Sequence, residues 1–464
     1  MSENRKTGQT NFTQRSYLLI AATILLGLFL GASSLVFSSP YAPIIVLGSI
    51  IAITSFFIWI KKPIWALYFA IFMVLLPTSL IPAQINSYMN RTAIVIAFLV
   101  WVLDLINRRS RINLVPTTLL LGVFIVWAAM SLMWTEDLSD GTNILQRYVL
   151  RFILFLILII NEVRTKKTFN GLMNILALSG GLLVIVSIVT VLKQGYSVGQ
   201  RLQVLDVNEN ELGISLLITM PAVFWWSLRP ANKPVSILKK LLATIFLFVS
   251  IGLIGLSGSR GSAISLGFML IGFLLWKSTR FWGILGLLVI GIAILSIPIL
   301  FTTTIDRFLG APGETALGGR EYIWPVAWLL IKDHLILGVG IGNSPNQIFP
   351  YLVNAGIMRL SLLSVSEISI HNPLLVIWAE TGLLGLIIYL GILISAVIDF
   401  IRQYINSRNM KEGYLIPYFA LVSSMFIGYI ASWIKGGGME SDPSYFLVIA
   451  LLIIPSQILL DKKE

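Results

Sequence analysis

The chemistry open to this chain is narrow, because its 464 residues include 2 histidines and no cysteine. His371 stands in Ser369-Ile370-His371-Asn372-Pro373. Asn372 suits an N-cap and Pro373 the first helical position. His371 is therefore expected just ahead of a helix, where free N–H groups favour an anion. Its proton moves near neutral pH, although a surface histidine with no role fits the spacing equally well. His334, in Lys332-Asp333-His334, reads as a solvated helix end. Arg260 lies in Leu256-Ser257-Gly258-Ser259-Arg260-Gly261-Ser262, between two apolar runs with almost no loop. A charge there needs a partner or an anionic ligand, or else snorkels to water. The flanking glycines and serines let backbone N–H groups come close to such a ligand. Arg320 follows Gly318-Gly319 and precedes Glu321-Tyr322-Ile323-Trp324-Pro325-Val326-Ala327-Trp328. Trp324 and Trp328, four apart, suggest a helix lying in the membrane interface with both indoles at headgroup level. Glu380 comes nine residues after His371. On one continuous helix it would occupy the opposite face, placed to pair with an arginine from another span. With no thiolate and no acidic cluster at ligand spacing, neither a bound metal nor a cofactor is expected.

These residues need a scaffold, and the scaffold is apolar. Hydrophobic residues make up 57% of the chain and charged residues 12%, about half the charged share of an ordinary soluble domain. Apolar runs of bilayer-crossing length recur throughout. We read spans near 17–37, 41–60, 63–81, 92–107, 116–134, 147–161, 171–192, 210–228, 238–257, 261–276, 281–301, 372–401, 414–434 and 443–460. The expected fold is all-α and polytopic, with about 12–14 transmembrane helices and one long polar interruption at 302–371. The runs at 147–161 and 261–276 are short enough to be tilted or re-entrant. No cleavable signal peptide is expected, since the first span lacks a small-residue cleavage site.

Orientation follows from the basic residues, most of which fall in alternate connections. Lys61, Lys62, Arg108, Arg164, Lys166, Lys239, Lys240, Lys277, Arg280, Arg402 and Arg408 fall on the side expected to be cytoplasmic, with both termini. The net charge of +12 is thereby explained without nucleic acid. Arg201, Arg260, Arg307 and Arg320 fall on the other side, against the bias. Exposed ion pairs account for many such residues; an anionic substrate would also hold them there.

The polar segments form an ordered series. Gln200-Arg201-Leu202 precedes Asn208-Glu209-Asn210-Glu211-Leu212-Gly213. Then come Ser257-Gly258-Ser259-Arg260-Gly261, Gly319-Arg320 with Ile323-Trp324, and Leu337-Gly338-Val339-Gly340-Ile341-Gly342-Asn343. His371-Asn372-Pro373-Leu374-Leu375 and Glu380-Thr381-Gly382-Leu383-Leu384-Gly385 close the series. Over roughly residues 195–400 this order resembles the O-antigen ligase and polymerase superfamily of bacterial membrane glycosyltransferases. The chain departs from it in having Asn208-Glu209-Asn210 where the family often has Asn-Pro-Asn. The resemblance implies a fold similar to C-type glycosyltransferases and an N-terminal scaffold at 1–194. It also implies a catalytic region at 195–401, with its extracytoplasmic loop at 302–371, and C-terminal helices at 402–464. It implies a metal-independent transferase in the bacterial plasma membrane, its site facing outward. The donor would be an undecaprenyl-diphosphate-linked glycan, and the acceptor another glycan or lipid. Arg260 and Arg320 would hold the diphosphate, Arg201 and Glu380 would bind substrate, and His371 would take the acceptor's proton. Membrane lipids, and other membrane proteins of polysaccharide assembly, complete the expected company.

Two other classes stay open at this level. A glycolipid or anion transporter, or flippase, could use the same arginines, but would be expected to carry ionisable residues near mid-membrane in both halves. A non-catalytic membrane component of polysaccharide assembly is the other.

Overall fold

The computed structural model describes residues 55–56, 58–76, 83–108, 112–195, 201–202, 204, 209–228, 236–297, 301–309, 319–357, 369–409, 413–433 and 444–460. Its contacts divide the chain into two units, Met1–Ala66 and Leu67–Glu464. The expected span at 17–37, and that at 41–60 except for its last residues, lie outside the described residues.

The elements of the second unit are helical. In chain order they are α1 (Pro63–Leu75), which crosses the unit boundary, α2 (Ala83–Arg108) and α3 (Pro116–Ser131). Next are α4 (Leu138–Glu162), α5 (Lys166–Gln194), α6 (Glu209–Leu228) and α7 (Ile237–Leu256). Then come α8 (Arg260–Leu274), α9 (Arg280–Ser296), α10 (Thr302–Leu309), α11 (Arg320–Asp333) and α12 (Ser344–Asn354). The last are α13 (Pro373–Asn409), α14 (Ile416–Ser432) and α15 (Ser444–Leu460). Six segments among the described residues are long and apolar enough to cross a bilayer, in α2, α4, α5, α6, α7 and α13, and six shorter apolar helices accompany them. The chain is an all-α, multi-pass membrane protein.

Two expected spans take a different form. The run at 147–161 is the second half of a longer helix, α4, which starts at Leu138 and includes a π-helical stretch at Phe152–Leu158. Its first half, LSDGTNILQRYVLR, is polar and hides in a hydropathy reading. The run at 372–401 is not one rod. α13 breaks at Gly382, whose φ of 68° and ψ of −171° lie outside the helical range.

That break is bridged by other segments. Peptide groups released inside an apolar bundle must find partners. The Val339 and Gly340 N–H groups donate to the Ala379 and Glu380 carbonyls at 2.8 and 2.9 Å. The Trp127 indole donates to the Thr381 carbonyl at 2.9 Å, and the Leu383 N–H to the Leu335 carbonyl at 2.9 Å. The Gly338-Val339-Gly340-Ile341-Gly342 strip therefore runs between the α13 break and the α3–α4 connection. Its close approach requires glycine: a Cβ on Gly338 would sit 2.5 Å from the Glu380 carbonyl, and one on Gly340 2.7 Å from the Thr135 Cα. Both residues have positive φ, 70° and 93°.

Small residues also set the tightest helix pair, α8 against α14. A Cβ on Gly272 would lie 2.9 Å from the Ser424 Cα, and one on Gly428 2.7 Å from the Ser265 carbonyl. Small side chains of this kind let helix backbones approach within a membrane. This contact fixes α8, and with it Arg260 at its N-terminus.

Segments read as facing one side of the bilayer meet at one end of the bundle. The Leu202 N–H donates to the Leu256 carbonyl at 3.0 Å, and Thr304 Oγ1 to the Gly255 carbonyl at 2.9 Å. At the other end the Asn113 N–H donates to Asn161 Oδ1 at 2.8 Å, and Lys166 lies 4.4 Å from the Tyr414 ring centre.

Candidate active site

The turn Ser257-Gly258-Ser259 is the hub. Gly258 has φ of 62°, which a side chain adopts only under strain. This turn points the Ser257 and Gly258 carbonyls at cations. Arg201 donates from Nε to the Ser257 carbonyl at 3.3 Å, and its Nη2 lies 3.3 Å from Glu209 Oε2. Arg307, on α10, donates from Nη1 to the Gly258 carbonyl at 2.9 Å. The carbonyl of the same Arg307 accepts from Arg260 Nη1 at 2.8 Å. Arg260 and Arg307 thus hold each other through the turn, in a reciprocal clasp between α8 and α10. The N-cap Ser259 accepts from the Ser262 N–H and donates to Asn210 Oδ1 at 2.6 Å, tying α6 to the same point.

Arg260 is 2% exposed and Arg320 7%. Arg320 opens α11 behind Gly319, whose φ is 83°. Burial, and then the nearby guanidinium groups of Arg260 and Arg307, press its proton affinity below the ordinary arginine value. Arg201 acts in the same direction and only Glu321 against it. Arginine stays charged under such pressure. The pocket of positive potential therefore combines four guanidinium groups from four separate segments. The sequence singled out Arg201, Arg260 and Arg320; the structure brings them together and adds Arg307. Sequence reasoning had counted Arg307 only among basic residues on the unexpected side. Its signal was a short polar helix, TTTIDRFL, with Thr303 and Thr304 buried.

His371 lies at the start of α13, as its context predicts. Asn372 Oδ1 accepts from the Leu374 and Leu375 N–H groups at 3.0 and 3.2 Å, so Asn372 is the N-cap, with Pro373 first in the helix. His371 itself is exposed and has φ of 54°, a left-handed conformation that costs a non-glycine residue roughly 1–2 kcal/mol. Its segment is anchored to α11, because the Trp324 indole donates to the Ile370 carbonyl at 3.0 Å. Trp324 is one turn beyond Arg320, about 6 Å along the axis. One helix thus carries an arginine of the cluster and the anchor of the histidine loop. Trp324 is consequently turned inward, not lined up with Trp328 in an aromatic belt. Trp328, 39% exposed, instead packs edge-on against Trp378 with ring centres 5.2 Å apart. Val326, Leu330, Ile348, Leu352, Ile370 and Val376 form the small core beneath this layer.

Glu380 is 1% exposed and accepts from Ser344 Oγ at 2.7 Å. Ser344 is the first residue of α12, so the carboxylate lies at a helix N-terminus, where negative charge is favoured. His371 lies ahead of the N-cap with φ of 54°, outside the helix, so the opposite-face reading, which needs one continuous helix through both residues, does not apply to Glu380 and His371. His334 closes α11 and is exposed. Among the described residues no three His, Cys, Asp or Glu side chains gather as a metal site.

Residues 244–390 match the family model described as O-Antigen ligase. No curated protein matches the chain. The matched stretch contains Arg260, Arg307, Arg320, His371, Glu380 and the break at Gly382, while Arg201 lies before it. Within this region the chain is similar to the O-antigen ligase family, in a multi-pass membrane protein.

Proposed function

We propose that the protein transfers or polymerises a glycan carried on undecaprenyl diphosphate, at the outer face of the plasma membrane. The observation that carries this reading is the convergence of Arg201, Arg260, Arg307 and Arg320 at one end of the bundle, with Arg320 on the helix that anchors the His371 loop. The reaction breaks the bond between the anomeric carbon and the diphosphate oxygen. An acceptor hydroxyl oxygen forms the new bond to that carbon. Negative charge builds on the departing diphosphate, and guanidinium groups held in advance stabilise it without reorganising. Arg260 and Arg320 grip the phosphate oxygens, with forked donors suited to them. Arg201 sets the position of the same group. The imidazole of His371 takes the proton from the hydroxyl, and its exposure suits an acceptor that arrives from water. Glu380 holds the break in α13 against α12, and so the loop above it. The basic end, with Lys166, Lys277, Arg280 and Arg402, faces the cytoplasm. Charge is supplied by the side chains, so the reaction needs no metal.

The test is transfer by purified protein, with a carrier-linked glycan donor and an acceptor glycan. His371→Ala and Arg260→Ala should each lower turnover by about a hundredfold or more while the protein still extracts and melts as the parent does. Full activity in both variants would overturn the assignment. Movement of the donor between leaflets without a new glycosidic bond would support transport instead.

A further inference from the structure

Far from the arginine cluster, at the basic end, the bundle holds a cavity of about 540 Å³. It is lined by Trp276, Lys277, Ser278, Tyr404, Ser407 and Arg408, with Leu275 and Ile416 as apolar wall. The rings of Trp276 and Tyr404 meet edge to face, 5.3 Å between centres. Arg408 lies over the Tyr404 ring at 5.9 Å, which holds its charge at the rim. Ser278 Oγ is buried with no hydrogen-bond partner. Among the described residues, the lining includes two cations and no carboxylate. A buried hydroxyl without a partner carries a desolvation cost, and an oxyanion seated between the two cations would relieve it.

We propose that this cavity seats the phosphate of an anionic phospholipid headgroup. Lysine and arginine together provide a point charge and a fork for phosphate oxygens. Trp and Tyr at a helix end mark the headgroup level of a bilayer, and basic recesses between spans on the cytoplasmic side recognise anionic headgroups. Leu275 is 68% exposed beside the cavity. From the adjacent Leu274, an apolar groove of about 410 Å³ continues along Ile284, Leu288, Ile292 and Leu295 of α9. Head and chain thus have neighbouring surfaces, which favours a lipid over a free ion.

The protein is reconstituted in nanodiscs of phosphatidylcholine with a minor share of phosphatidylglycerol, and retained lipids are counted by native mass spectrometry. The parent should retain phosphatidylglycerol well above its share. The pair Lys277→Ala and Arg408→Ala should reduce that retention about tenfold or more, and Ser278→Val should reduce it without changing charge. The pair Lys239→Ala and Lys240→Ala, on α7 at the same end, should leave it unchanged. Equal loss from both double variants would overturn the proposal in favour of a diffuse basic surface. Inorganic phosphate that stabilises the lipid-free protein as strongly as phosphatidylglycerol does would identify a free phosphate site and overturn the lipid. Should the Lys277 and Arg408 double variant fail to fold, Ser278→Val decides by the same count.

Discussion

Arg320 provides the sharpest test of what the guanidinium cluster is for. It is buried among Arg260, Arg307 and Arg201, with Glu321 as its opposing charge. Two like charges roughly 8 Å apart repel by about 2 kcal/mol at an effective dielectric of about 20. Arg201 is paired with Glu209, so burial and the Arg260 and Arg307 charges, set against Glu321, leave Arg320 a net strain on the empty protein. A stretch kept for stability would not be built this way, whereas a diphosphate site would. Arg320→Met keeps the length and the apolar stem and removes the charge. The variant should melt no lower than the parent, and be more stable by up to about 2 kcal/mol. Its affinity for inorganic pyrophosphate should fall by the worth of one charge-assisted contact, about 1.5–3 kcal/mol, or roughly 10- to 150-fold. Melting followed by the fluorescence of the 13 tryptophans, with and without pyrophosphate, reads both quantities in one preparation. Calorimetric titration provides the affinity directly. A variant that melts well below the parent and still binds pyrophosphate as tightly would refute the reasoning. Arg320 would then be a structural ion-pair partner of Glu321.

The same geometry sets three further outcomes. Arg307→Ala removes the donor to the Gly258 carbonyl but keeps the carbonyl that holds Arg260. Turnover should drop about 10- to 100-fold with KM changed less, and Arg307→Lys should restore only part of it, because lysine lacks the fork. Gly382→Ala forces a side chain into the Ile336 backbone at φ of 68°, so the protein should lose about 3 kcal/mol or more, read as a lower melting point and poor extraction. The Tyr351 hydroxyl donates to Asp333 Oδ2 at 2.6 Å, which together with burial pushes its pKa up to about 12. The folded state favours the neutral phenol, so this contact contributes fully below the ordinary tyrosine value near 10. It fades as pH rises toward 12. Difference absorbance should place one phenol in that window, and Asp333→Asn should move it back toward the ordinary value.

Much of this architecture was legible without coordinates, for physical reasons that attach to particular residues. A bilayer admits little besides apolar helices, so the apolar helices among α2 to α15 could be read from hydropathy, though not the polar first half of α4. The alternation of Lys and Arg sorts the helix ends into two groups, and the contacts of Arg201 with Ser257 and of Thr304 with Gly255 join segments of one group. Capping grammar is equally local, and Asn372-Pro373 opens α13 where the sequence indicated. Tertiary structure alone decided the rest, because it turns on backbone groups exchanged between distant segments. No local rule states that Gly382 breaks α13, since the break exists only where Val339, Gly340 and Trp127 supply the missing partners. None states that Trp324 turns inward, since its acceptor is a carbonyl 46 residues away. Nor could the chain order disclose where Arg307 goes: its place in the cluster comes from a clasp with a turn 49 residues earlier, a backbone contact that no local pattern announces.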